Sequence, residues 1–120
     1  MTQSAARELA IELAERMMLA QPVTVVRFFS GAGLVAGGVQ FGFVITGSLY
    51  LRVDDQTRPA YIAAGAAPFS YRGRSKPVTV ASYFEAPSEV LDDNELLTQW
   101  AADALRAARA AKKKKKKRAR

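Results

Sequence analysis

Val39-Gln40-Phe41-Gly42-Phe43-Val44-Ile45-Thr46-Gly47-Ser48-Leu49-Tyr50-Leu51-Arg52-Val53 is the stretch whose reading decides the fold. Its apolar residues recur with a period of two. Val39, Phe41, Phe43 and Ile45 alternate with smaller or polar residues; beyond Thr46-Gly47, Leu49, Leu51 and Val53 alternate with Ser48, Tyr50 and Arg52. Successive side chains of a strand point to opposite faces, so each half predicts a strand with one buried face, joined by a turn at Thr46-Gly47. Tyr50 and Arg52 fall on the side away from the core.

Working toward the amino terminus, Gly37-Gly38 supplies the positive φ angles of a two-residue hairpin turn, which predicts pairing of Gly33 to Ala36 with Val39 to Thr46. Val23 to Phe29, rich in β-branched and aromatic residues, reads as another strand. Before it, Ser4 opens a helix that runs to about Leu19, with Leu9, Leu13 and Met17 on one side, and Gln21-Pro22 stops it.

Toward the carboxy terminus, Thr57, Pro59 and Gly65 mark the N-cap, first turn and end of a short helix. Phe69 to Arg72 and Val78 to Phe84 flank Gly73-Arg74-Ser75-Lys76-Pro77, a hairpin with a cationic tip. Pro87 to Leu91 predicts one helical turn. Asp92 and Glu95 then resemble a capping box for a last helix whose apolar face is Leu97, Trp100, Ala101, Ala104, Leu105 and Ala108. The order is helix, three or four strands, short helix, two strands, helix. It predicts a two-layer α+β fold, an antiparallel sheet with helices mainly on one face.

The 120 residues are 49% hydrophobic and 24% charged, a globular composition with room for one core. The net charge of +7 is not spread over that core. Lys112, Lys113, Lys114, Lys115, Lys116, Lys117, Arg118 and Arg120 carry +8, which leaves −1 on residues 1–111. Residues 1–111 therefore read as one domain. Residues 112–120 read as a disordered tail, because like charges repel and bury no apolar area. The tail is either a solvated, solubilising segment or a nonspecific contact for DNA or RNA phosphates.

Cysteine and histidine are both absent, which removes thiolate, nucleophile–histidine and zinc-finger chemistry. No catalytic residue, cofactor or metal site is expected. Phe28 to Leu51 has no charge and is long enough to span a bilayer, but six glycines and a period of two oppose that reading. Charged residues throughout the amino-terminal helix are unlike a signal peptide, so the expected location is cytoplasmic, with no membrane contact.

Gly31, Gly33 and Gly37 lack the spacing and following helix of a dinucleotide loop, and turns account for them. Asp54-Asp55 and Asp92-Asp93 are adjacent pairs that cannot converge on a substrate, and turn formation and capping explain them. Phe28, Phe29, Phe41, Phe43, Phe69, Phe84 and Trp100 mostly fall on faces assigned to the core, so core packing is preferred to a base-stacking platform. The remaining candidate partner surface is Tyr50 beside Arg52, with Arg58 and the tip residues Arg74 and Lys76; the tip suits an acidic partner or a phosphate.

Several short motifs in order also carry a resemblance. Phe28-Phe29-Ser30-Gly31-Ala32-Gly33-Leu34 is similar to a Met-Phe-Gly-Gly-x-Gly-Leu segment, and Leu49-Tyr50-Leu51-Arg52-Val53-Asp54 with Thr57-Arg58-Pro59 is similar to Leu-Tyr-Leu-Lys-x-Asp and Thr-Arg-Pro. Gly65, Pro68-Phe69, Tyr71, Lys76-Pro77-Val78, Ser82-Tyr83, Pro87, Val90-Leu91 and Trp100-Ala101 follow. Across about residues 4–109 the chain resembles the amino-terminal domain of the TfoX/Sxy family. That resemblance implies a two-layer α+β fold and a role like that of bacterial competence regulators, which act with the cyclic-AMP receptor protein on DNA-uptake genes. Ser30 and Ala32 depart from the first motif, and lysines stand where the second, helical domain of competence regulators would begin. The leading expectation is a non-enzymatic regulatory module that joins transcription machinery or a transcription factor. The alternative is a protein-binding adaptor or chaperone-like domain, homodimeric through a sheet edge.

Overall fold

In the computed structural model, which describes residues 3–118, the opening stretch forms β3 (Val39–Ile45) and β4 (Ser48–Arg52). Thr46 and Gly47, with φ of 52° and 81°, make the turn between them. Gly37 and Gly38, with φ of 58° and 76°, make the turn from β2 (Gly31–Ala36). Positive φ at both central residues matches the twist of the flanking strands. With β1 (Val23–Phe28), β5 (Pro68–Arg72) and β6 (Pro77–Glu85), they build one antiparallel sheet in the order β1-β2-β3-β4-β6-β5.

The long helices α1 (Gln3–Arg16) and α4 (Asn94–Arg118) pack on the same side of the sheet, α1 over β1, β2 and β3 and α4 over β3 and β4. Two short helices, α2 (Arg58–Ala63) and α3 (Ser88–Leu91), pack against β6 and α4 respectively. Ala6, Ala10 and Leu13 of α1 and Leu97, Ala101 and Ala104 of α4 meet Leu34, Phe41, Val44, Leu49 and Leu51 of the sheet in one buried cluster. Alanines let the helix backbones approach closely, while the leucines and Phe41 supply most of the apolar area removed from water. The two-layer α+β architecture is the one the alternating pattern predicts.

Four local readings are corrected. First, Leu34 pairs with Gly42 while Val35 pairs with Gln40, so Phe41 is an extra residue in β3. This bulge shifts the alternation: Phe41 and Val44 enter the helix-side core, and Phe43 stands outside that cluster. Second, α1 stops at Arg16 rather than near Leu19. The Arg16 guanidinium bonds Asn94 and the Leu91 carbonyl, and the Met18 amide donates to Thr98 Oγ1 at 3.1 Å, so tertiary partners satisfy groups a further turn would use. Third, the cap of α4 is Asp93 rather than Asp92: its Oδ1 accepts the amides of Glu95 and Leu96 at 2.9 and 3.1 Å. Likewise Thr57 does not cap α2 with its side chain; its Oγ1 accepts the Asp54 amide at 3.0 Å.

The lysine run extends the last helix. Where composition predicts disorder from residue 112, α4 continues to Arg118. The helix is already nucleated and anchored in the core, so each added lysine needs only propagation, and cations at a helix carboxy end complement its dipole.

Candidate functional site

Among the described residues no helix covers the sheet face away from α1 and α4, and that face is aromatic. Phe28 stacks on Phe43 with ring centroids 4.7 Å apart, and Phe43 stacks on Tyr50 at 5.3 Å. Phe69 meets both Phe43 and Tyr50 in T-shaped contact at 4.9 Å, and Tyr83 lies 4.9 Å from Phe43. β5 is three places from β3 in the sheet, a separation of about 14 Å if the sheet were flat. The 4.9 Å contact therefore requires a curled sheet. The β5–β6 pairing breaks for that curl: Pro68 lies opposite Phe84 but Phe69 lies opposite Val80. The irregularity bends the outer hairpin across the uncovered face.

Between the bent hairpin and the turns at Phe29-Ser30 and Thr46 a groove of about 520 Å³ remains, lined by Phe29, Ser30, Ile45, Thr46, Tyr50, Phe69, Ser70 and Tyr71. Its size is that of ordinary ligand and anchor sites. Phe29 and Tyr71 stand at 81% and 49% exposure, unusual for rings of this size. Phe29 also has φ of 50°, a left-handed conformation that a bulky side chain rarely adopts.

Of the residues singled out in the sequence, Tyr50 and Arg52 do face this side. Burial first, and then the Glu85 carboxylate, push the Tyr50 phenol above its ordinary value, while a Ser48 hydrogen bond opposes them. The Ser48 hydroxyl in turn donates to Glu85 Oε2 at 2.9 Å. Tyr50 therefore stays protonated and able to donate at neutral pH. The Arg52 guanidinium carbon lies 5.5 Å from the centre of the Tyr83 ring, a cation–π distance, and its buried Nε has no hydrogen-bond partner. Arg74 and Lys76 are exposed at the hairpin tip directly after Tyr71, where the Gly73 amide bonds the Lys76 carbonyl at 3.0 Å. Arg58 is engaged elsewhere, paired with Asp55 at 2.8 Å at the start of α2.

Lys112, Lys113, Lys114, Lys115 and Lys116 are exposed along the last turns of α4, and Lys112 Nζ reaches the Gly38 carbonyl at 3.3 Å. Arg109 bonds Gln21 Oε1 at 2.6 Å. These contacts root the cationic helix end at the β2–β3 turn, the opposite end of the strands from Phe29 and Thr46. The side chains of Lys117 and Arg118, and Arg120 as a whole, lie outside the described residues.

Sequence reasoning missed the aromatic face: Phe43 is buried as expected, but Phe28 and Phe69 are only half-buried there and Phe29 is exposed rather than in the core. A signal was present in Gly42, since an isolated glycine in a strand often marks a bulge or a close backbone approach. A Cβ at Gly42 would lie 2.8 Å from the Tyr50 carbonyl oxygen. Among the described residues, no cluster of three or more acids could hold a metal ion, and no helix is long and apolar enough to cross a membrane. A family model described as the TfoX N-terminal domain matches residues 15–108. No curated protein matches the chain.

Proposed function

The chain belongs to the TfoX N-terminal domain family, and from that premise we propose that it is a non-enzymatic, cytoplasmic regulatory module of the TfoX/Sxy kind. It acts by binding: the folded domain engages transcription machinery or a transcription factor, and the cationic end of α4 adds nonspecific contact to nucleic acid. The observation that carries the reading is the separation of charge. Residues 1–111 carry −1 and the whole positive balance falls on residues 112–120, of which Lys112 to Lys116 stand exposed along the end of α4. Cations presented along a helix neutralise phosphates without reading sequence.

A salt titration of duplex DNA binding tests the nucleic-acid part. If all eight cations engage, the slope of log K against log salt approaches about −7. Deletion of residues 112–120 abolishes that slope. An unchanged slope in the deleted protein refutes it. The regulatory part is tested by capture on the immobilised full chain of purified RNA polymerase and of purified cyclic-AMP receptor protein, with no retention of either as the refuting result.

A further inference from the structure

We infer that the groove between Phe29 and Tyr71 is a docking site for an acidic segment of a partner protein, which sets an apolar side chain into the groove and its carboxylates against Arg72, Arg74 and Lys76. The groove is concave and lined mainly by rings and hydroxyls, the surface that an anchoring side chain of a peptide fills. Its rim is strained. Phe29 holds its ring 81% exposed at φ of 50°, and a costly conformation spent on an exposed ring marks a place where the ring has work to do.

Charge complementarity selects the occupant. The strand that forms one wall runs from Tyr71 straight into Arg72-Gly73-Arg74-Ser75-Lys76, and residues 56–84 contain four cations and no acid. An acidic segment meets that rim with opposite charge, and the rest of residues 1–111, with a net charge of −4, confines the attraction to the rim. A second copy of this chain bound face to face would bring the same acid-free rim to the interface, which is not self-complementary. A single strand of nucleic acid needs flat ring faces in succession. Here Phe69 stands nearly perpendicular to Phe43 and Tyr50, at 79° and 71°, so the rings do not offer parallel faces in succession.

The test uses the full chain and a fluorescein-labelled dodecapeptide with one tryptophan flanked by aspartates and glutamates. Its controls are the same peptide with lysine for every acid and a twelve-residue oligothymidine. The acidic peptide binds and shifts the amide resonances of Phe29, Ser70 and Tyr71. Tyr71→Ser and the double variant Arg74→Glu/Lys76→Glu, each exposed and folded by circular dichroism, weaken it about tenfold or more. The lysine peptide does not bind at these resonances. The proposal is overturned by no binding, by binding that moves only residues 112–116, or by affinity indifferent to both variants. Oligothymidine binding lost in Tyr71→Ser overturns it in favour of base stacking. A dimer in light scattering that Tyr71→Ser dissociates overturns it in favour of self-association. Each outcome is read at the groove and is separate from the salt slope that tests the cationic helix end.

Discussion

Phe29 in the β1–β2 turn and Gly31 at the start of β2 sit two residues apart and answer opposite demands. Phe29 bears a left-handed φ of 50° that glycine adopts freely. Replacing it by glycine relieves that strain but loses the edge contact to Phe28 at 4.7 Å and gains chain entropy in the unfolded state. Phe29→Gly is therefore expected to change stability by less than about 1 kcal/mol in urea unfolding, while removing a wall of the groove. Gly31 is packed. A Cβ there would fall 1.9 Å from the Val44 carbonyl oxygen across β2 and β3, so Gly31→Ala must push the strands apart and should cost about 1–3 kcal/mol in the same assay. The glycine was legible as a turn residue. The contact that forbids a side chain comes from a strand thirteen positions later and has no local trace.

Among the elements, α4 depends on a tie that titrates. Arg106 on α4 pairs with Asp54 Oδ2 at 3.0 Å, and Asp54 Oδ1 accepts the amides of Gln56 and Thr57, both at 3.0 Å. Burial alone would raise the Asp54 carboxyl, but the Thr57 amide, Arg106 and the Gln56 amide outweigh it and hold the pKa below its ordinary value. A lowered folded value means that the stabilisation is complete above about pH 4, the unfolded carboxyl range, and is lost as pH falls through the folded value. Asp54→Asn keeps the turn acceptor and removes the charge. Its urea midpoint should fall below the parent's at pH 7 by about 0.5–1 kcal/mol in stability, and the two should converge near pH 2. The far end of α4 behaves otherwise. Lys113 to Lys116 are exposed, so deleting residues 112–120 should leave the unfolding midpoint within about 0.5 kcal/mol of the parent. Helicity of the intact chain by circular dichroism should rise with salt, because screening weakens repulsion between like charges one turn apart. Composition identified this segment as charged and unable to pack. Its helical state comes from a helix nucleated in the core.

Across the whole molecule the two faces of the sheet differ in what holds them. β3 lies inside the sheet, with Phe41 and Val44 fully buried under α1 and α4, whereas β5 is an edge strand whose residues Ser70, Tyr71 and Arg72 are exposed. Amide hydrogen exchange should therefore show β3 opening only with global unfolding and β5 opening well before it. By itself the sequence determined the strands, the turns at Gly37-Gly38 and Thr46-Gly47, the apolar faces of α1 and α4 and the family, because period, turn chemistry and motif order are local properties of the chain. The bulge at Phe41, the curl that carries Phe69 onto Phe43, and thus the aromatic groove were decided by tertiary structure. They follow from how strands far apart in the chain share register and face, and one extra residue in a strand reverses the facing of every side chain after it.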